Sequence, residues 1–409
     1  MANAAAGAGG GGGAPSAGGG NPFQLATNLY AEKNNVGATL SYTTTSTQLA
    51  AGGQINAGQY LRALRLIVRT STLGTNAAGA TVSDFPWNLF ASCDLVNVDG
   101  SQILYSMGGY AHYLAQKYGR PWLGDPAQYQ DASISTVLAP QFTLTLQPEI
   151  RWTAGCLANT DTRSQYRFDY TIDTETNFLQ GGTAYTTHPV VNVQPYMDAW
   201  AQPDAQDLQG TPNQPVPPGL NLQVKRRHQI GTLNAASSDN IIQSALTGNA
   251  LRLQLLVTRA GSNSPRADAL TDPVTWQLDN RTLGKYSTNI KQVINTTSAL
   301  TGGDMLGVRA YEFYSKYFPS RPITTMATNS NPYVATAYTG YWRETGVYPF
   351  PRFIQPGDLY GEGWLYTANS TKEIFESTSV SGLGSSPTWE IITDEVYPVG
   401  PVDASLTDI

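Results

Sequence analysis

The chain has 409 residues, a formal net charge of −6 and charged side chains at only 13% of positions. That length holds two substantial cores, while the light, acidic charge gives no reason to expect nucleic acid as the main partner, which needs a concentrated basic surface. Its two cysteines, Cys93 and Cys156, exclude a disulfide scaffold.

Met1 to Gly20 is almost wholly Ala and Gly and cannot bury enough side chain to offset its ordering entropy. Residues 1–38 are therefore read as a flexible Gly/Ala-rich N-terminal arm. The start lacks the basic region and apolar core of a secretory signal, and no apolar run reaches bilayer-spanning length. A soluble protein made in the cytoplasm is expected.

Thr39 to Leu49, rich in Thr, Ser and Tyr, reads as an edge strand or extended arm. Tyr60 to Thr70 and Trp87 to Val98 are stronger strands, and Asp99-Gly100 signals a hairpin into Ser101 to Tyr105. Tyr110, Tyr113, Leu114 and Tyr118 recur at helical spacing before Gly119 and Pro121 stop the helix. Phe142, Leu144 and Leu146 alternate with polar residues as a half-buried strand, and Ile150 to Ala154 and Tyr166 to Ile172 add short ones. Residues 39–180 thus form a first domain. Residues 181–228 carry Pro189, Pro195, Pro203, Pro212, Pro215, Pro217 and Pro218, which argue against a central strand and for a connection or projecting loop.

A second domain, 229–398, offers strands at Ala250 to Arg259, Val274 to Leu278, Ile290 to Ile294, Asp358 to Tyr366 and Thr388 to Val396. Its helix, Asp304 to Phe318, has Ala310, Phe313, Tyr314, Tyr317 and Phe318 on one face. Asn329 to Tyr348 is a Tyr- and Thr-rich loop or strand, and residues 399–409 are a C-terminal tail.

The two domains repeat one another. YLRALRLIVRT (Tyr60 to Thr70) matches ALRLQLLVTR (Ala250 to Arg259), and Trp276 follows Trp87 by the same interval as Val257 follows Val68. GYAHYLAQKYGRP, from Gly109, matches AYEFYSKYFPSRP, from Ala310, about ten residues later in phase. A period of about 190 residues is that of a duplicated domain, and the pairing places Trp87 and Trp276 at equivalent positions. Many short strands, two copies and one short helix inserted in each predict an all-β protein of two tandem jelly-roll β-sandwich barrels.

Reactive groups are sparse. His112, His188 and His228 are mutually remote, without metal-ligand spacing, and His112 reads as a surface or packing residue. Cys93, in phase with Leu89, Ala91 and Leu95, reads as a buried free thiol. Lys225, Arg226 and Arg227 form a short solvated or interface patch. A glycosidase needs a carboxylate pair; Glu149, Asp169, Asp173 and Glu175 lie near strand ends, and Glu344, Asp358 and Glu362 lie among aromatics. Turn-capping or solvated carboxylates account for all of them, so amides at Glu149, Asp169, Glu344 or Glu362 should be tolerated. No catalytic, cofactor or metal residue is assigned.

The paired strands, the paired PWNLF and PVTWQL segments and the helices ending in KYGRP and KYFPSRP resemble, from about Pro22 to Pro398, the double jelly-roll major capsid proteins of the tectivirus-like lineage of icosahedral viruses. The run DPVTWQLDN (Asp272 to Asn280) also looks like a strand segment of that family. The resemblance implies a structural, non-enzymatic virion protein made in the host cytoplasm. Its partners would be itself as a homotrimer in pseudo-hexameric capsomers, neighbouring capsomers, other capsid proteins and an internal membrane beneath the shell. The alternatives are a receptor- or carbohydrate-binding virion spike and a glycoside hydrolase.

Overall fold

A computed structural model describes residues 20–398 except 24–28, 35–37, 44–45, 76–79, 83, 99–102, 121–125, 127–130, 135–136, 151–153, 164, 181–184, 218–221, 235–237, 262–265, 272, 280, 287–343 and 352–363. In chain order the first half contributes β1 (Leu29–Lys33), β2 (Ala38–Ser41), β3 (Gln48–Gln54), β4 (Gln59–Thr72), β5 (Gly74–Thr75), β6 (Ala80–Thr81), β7 (Phe90–Val96) and β8 (Ile103–Met107). Helix α1 (Gly109–Gly119) follows, then β9 (Asp131–Ile134), β10 (Val137–Leu146), β11 (Leu157–Asn159), β12 (Arg167–Ile172), the single turn α2 (Glu175–Phe178), β13 (Leu179–Gln180) and β14 (Val190–Ala201). The second half contributes β15 (Leu222–Thr232), β16 (Asp239–Ser244), β17 (Ala250–Arg259), β18 (Val274–Leu278), β19 (Arg281–Tyr286), β20 (Val347–Pro351), β21 (Leu365–Tyr366), β22 (Glu373–Thr378) and β23 (Thr388–Pro398).

Each half is a pair of antiparallel sheets. In the first, β1-β14-β4-β10-β5 faces β3-β12-β7-β8; in the second, β15-β23-β17-β20 faces β16-β22-β18-β19. The orders correspond strand for strand, with the last long strand of each half, β14 or β23, returning between the first strand and β4 or β17. That return is the Greek-key crossing of a jelly roll. The matched sequences at Tyr60 and Ala250 thus occupy the same place in the two barrels.

Alternation builds the first core: Leu64, Leu66 and Val68 on β4 and Phe142, Leu144 and Leu146 on β10 are buried, while Arg65 and Arg69 face outward. The whole of β17 is buried apart from Arg259, which is half-buried. Gln254 shares a face with Phe350 opposite it, and both reach across to β22, at Glu373 and Phe375. Leu253, Leu255 and Val257 therefore lie on the other face, which α1 covers. A strand buried on both faces carries an unbroken apolar run, and this is why ALRLQLLVTR lacks the alternating arginines of its counterpart.

Helix α1 is buried on every side except at Gln116. It packs on β7 and β10 of its own barrel and on β17, β20 and β23 of the other. Both ends need glycine: a Cβ at Gly109 would lie 2.3 Å from the Trp87 carbonyl oxygen, and one at Gly119 would lie 3.0 Å from both the Arg252 guanidinium and Leu253 Cδ2.

Several expectations are corrected. Residues 181–228 contain β14, a central strand. Pro195 is tolerated there because its carbonyl points toward Asn34 N–H (3.0 Å), on the side where the β1 partners (Tyr196–Trp200) give way to the β2 partners (Val190–Val193). Its missing N–H falls in that gap and removes no ladder bond. The arm read over residues 1–38 is anchored in its described part: Leu29 to Lys33 pair along β14, and Phe23 is buried edge-on against Tyr60, 6.3 Å between ring centres. The open edge of β14 holds this segment through the backbone, since Leu29 itself is exposed, and apolar patterning carries no such signal.

Trp87 and Trp276 are not equivalent. Trp87 sits in a 3-10 turn before β7 and stacks on Tyr113 at 3.8 Å, whereas Trp276 lies within β18 and donates its indole N–H to Glu373 at 2.9 Å. Of Ile150 to Ala154, expected as a short strand, residues 151–153 lie outside the described residues; Ile150 N–H donates to the Ala154 carbonyl at 2.8 Å. The expected helix Asp304 to Phe318 and strand Ile290 to Ile294 lie outside the described residues.

Replacing Gly119 by Val forces carbon into the contact between α1 and β17, and overpacking of this kind costs about 1–3 kcal/mol. Urea unfolding of the Gly119→Val chain should show that loss; unchanged stability would show the contact to be loose.

Candidate functional site

The side chains with the most developed chemistry gather at the seam where the two barrels meet. Asp84, buried just before the Trp87 turn, takes Arg259 at 2.5 Å and Arg266 at 2.7 Å, both from the second barrel. Arg266 continues to Glu344 at 2.9 Å. Glu344 reaches back to α1, meeting Lys117 at 2.5 Å and accepting from the Tyr110 and Tyr113 hydroxyls at 2.9 and 3.0 Å, while its own N–H donates to the Tyr118 hydroxyl. On the other side Arg259 pairs with Glu390 at 2.6 Å, and Glu390 meets His228 at 3.2 Å. A chain of alternating charge thus runs from Glu390 on β23 through both barrels to Lys117 on α1.

Burial pushes the Glu344 carboxyl up, but Lys117 and Arg266 outweigh it and hold it down at about 2. Glu390 is likewise held at about 2 against burial, by His228 and Arg259. Between the barrels a cavity of about 150 Å³ is lined in part by Asp84, Asn88, Asp173, His228, Arg259 and Glu390. Its carboxylates are engaged, Asp173 by Thr174 N–H and the Asn177 side chain, each at 2.7 Å.

A second cluster lies where β8 runs beside β15. Asp394 on β23 binds Arg226 through one oxygen and Arg252 through the other, each at 2.7 Å, and Arg252 donates to the Gly119 carbonyl at the C-terminal end of α1. Burial raises the Asp394 carboxyl, yet Arg226 and Arg252 hold it at about 2. His112 is fully buried with Nε2 3.0 Å from the Cys93 carbonyl, and burial followed by the Arg226 charge keeps it neutral, at about 3.

The residues singled out in the sequence divide accordingly. His112 is a core residue, not a surface one. Glu149 and Glu344 are not solvated: Glu149 is 1% exposed, paired with Arg62 at 2.7 Å and accepting the Trp200 indole N–H. Glu175 is buried beside His188, 2.6 Å away. Amides at these positions would leave buried cations or donors short of charge, so the expected tolerance is withdrawn for Glu149 and Glu344. Asp173 caps a turn as expected, and Asp169 pairs with Arg167 at the surface.

Asp358 and Glu362 lie outside the described residues. Cys93 and Cys156 are buried free thiols. Of the basic patch, Arg226 proves to be a fully buried seam residue and Arg227 pairs with Glu395. Among the described residues no three His, Cys, Asp or Glu side chains gather as a metal-ligand set.

No family sequence model and no curated protein sequence matches the chain. Solved structures do. The crystal structure of the STIV MCP aligns over 93% of this chain and 99% of its own with a TM-score of 0.54 at 14% identity. The atomic structure of Sulfolobus Turreted Icosahedral Virus contains a chain matching at 0.55 and 11% identity over 93% and 95%. The capsid of the PBCV-1 virus matches at 0.54 and 8% identity over 90% and 93%. The chain is a double jelly roll. At such identities the likeness is one of fold, and it extends over both barrels.

The seam of the double jelly roll was legible only in fragments. Arg252 and Arg259 interrupt an otherwise apolar strand, and a cation there points to a buried partner; nothing local in the sequence marks Asp84, Glu390 or Asp394 as that partner. Removing one member of a buried pair costs about 3–5 kcal/mol, so Glu344→Gln should lower the stability of the chain by an amount in that range in denaturant titration. Because the folded Glu344 carboxyl lies below its ordinary 4.5, its contribution is present above about pH 4.5 and is lost as pH falls toward about 2. Glu344→Gln should flatten the acid limb of a stability-against-pH curve; a limb of unchanged slope would remove Glu344 from the linkage.

Proposed function

We propose that the protein is a major capsid protein that forms trimeric, pseudo-hexameric capsomers and tiles an icosahedral virus shell. The observation that carries this reading is the near-complete overlap of both barrels with the STIV MCP, over 99% of that chain. Two similar but non-identical barrels in one subunit allow three copies to present six barrels around a threefold axis, and so to fill a hexagonal position with one gene product. This works only if the barrels keep a fixed mutual orientation. The buried helix α1 and the alternating charges of the seam supply that rigidity.

On this reading the role is structural rather than catalytic, and the place of work is the virion after synthesis in the host cytoplasm. The terminal segments 1–19 and 399–409 are proposed to reach neighbouring capsomers, other capsid proteins or a membrane beneath the shell. The segment 287–343 joins β19 to β20, as α1 and its flanks join β8 to β10 in the first barrel. It includes part of Asn329 to Tyr348, which is proposed to form an outward projection. The other projection expected, Gly181 to Gly219, contracts to the chain beyond β14, 202–217 in its described part.

Light scattering on the purified chain should give three copies per particle, independent of any glycan, and electron microscopy of assembled material should show hexagonal capsomers. A monomer that binds or cleaves glycans would overturn the capsid reading in favour of a lectin or hydrolase.

A further inference from the structure

The two charge clusters at the seam differ in balance. The chain through Asp84 sets three cations, Lys117, Arg259 and Arg266, against three carboxylates, Asp84, Glu344 and Glu390. The cluster at α1's C-terminal end sets three guanidinium groups, Arg120, Arg226 and Arg252, against the single carboxylate Asp394, and all four residues are at most 3% exposed. Both Asp394 oxygens are already bound, to Arg226 and Arg252.

Arg120 has no carboxylate: its NH2 donates to the Gln147 and Glu149 carbonyls, each at 2.7 Å. Its Nε and NH1, and NH1 and NH2 of Arg226, are buried without a hydrogen-bond partner among the described residues. The Arg226 guanidinium lies over the Tyr105 ring, 4.8 Å from its centre. Stacking of that kind leaves the in-plane N–H groups still in need of acceptors.

Tyr105 links the two arginines. The Tyr105 hydroxyl donates to the same Gln147 carbonyl that Arg120 binds. Burial, followed by the neighbouring Arg226 and Arg252 charges, lowers the Arg120 guanidinium to about 9. Among the described residues, the Tyr105 hydroxyl is raised by burial to about 12, His112 is neutral, and the Glu149 carboxylate is taken by Arg62. The helix C-terminus contributes only about half an elementary charge. An arginine does not shed its proton, and unpaired buried charge is costly.

We propose that Arg120 and Arg226 together bind a small monatomic anion of the chloride class, enclosed between the two barrels beside Tyr105. The anion completes the charge balance that Asp394 leaves open and fastens the C-terminal end of α1 to β15. This site is independent of the capsid reading, since it concerns the folded chain alone.

The test uses the full chain exchanged into sodium gluconate and titrated with sodium chloride or sodium bromide at constant ionic strength. The melting temperature should rise with halide concentration, going over to a logarithmic dependence above the dissociation constant, as binding to the folded state alone requires, and Arg120→Met should abolish that dependence. Crystals grown in sodium bromide should show an anomalous peak within hydrogen-bonding distance of Arg120 and Arg226. Should Arg120→Met fail to fold, the wild-type titration and the bromide map still decide. A melting temperature indifferent to halide, or no bromide peak at this position, would overturn the site and leave water as the partner of these N–H groups.

Discussion

The join between the two halves rests first on α1 being buried on every side except at Gln116. A helix attached to one jelly roll ordinarily shows one face to water. Here the second face is taken by β17, β20 and β23 of the other barrel, which leaves α1 no polar side. Its one charged side chain, Lys117, then has to find an anion inside the seam, and does so in Glu344 at 2.5 Å. The backbone at the helix end faces the same demand, which Arg252 meets at the Gly119 carbonyl. The ion pairs are therefore consequences of apolar packing. They fix register between the barrels more than they add net stability, because the desolvation of buried charges cancels much of their attraction.

The duplication explains why the two halves look alike in topology and unlike in side chains. β4 and β17 occupy the same place, yet Arg65 on β4 faces outward to Asp198 on β14, a partly exposed pair, whereas the outer face of β17 carries Leu253, Leu255 and Val257 against α1. One strand needs a wettable outer face and the other must not have one. Two barrels fused side by side cannot keep identical sequences, since the fusion itself makes their outer faces chemically different.

That asymmetry also sets what the sequence reveals. Strands with one wet face, such as Phe142 to Leu146, are read from alternation, and the unbroken run of β17 is read from its length. Helix α1 shows in its aromatic spacing and its terminal glycine and proline. The segments missed are those held by partners distant in sequence. β1 is fixed by backbone pairing to a strand some 165 residues onward, and its own side chains say little. β14 looked like a linker because proline was weighed as a strand breaker without knowing where the neighbouring ladder has its gap. Trp87 and Trp276 share an interval by coincidence of loop length, as one lies ahead of its strand and the other within it.

The carboxylates carry the same lesson for function. Glu149 and Glu344 sit at strand ends, where charge is ordinarily solvated or caps a turn, and a local reading makes them either idle or catalytic. Glu149 is buried and Glu344 partly buried, each facing a guanidinium and aromatic donors from another part of the chain: Glu149 with Arg62 and Trp200, Glu344 with Arg266, Tyr110 and Tyr113. A carboxyl held at about 2, as at Glu344, has already lost the proton a general acid must donate, whereas a glycosidase acid needs its pKa raised. Electrostatics at the seam thus work toward holding the two barrels in one orientation.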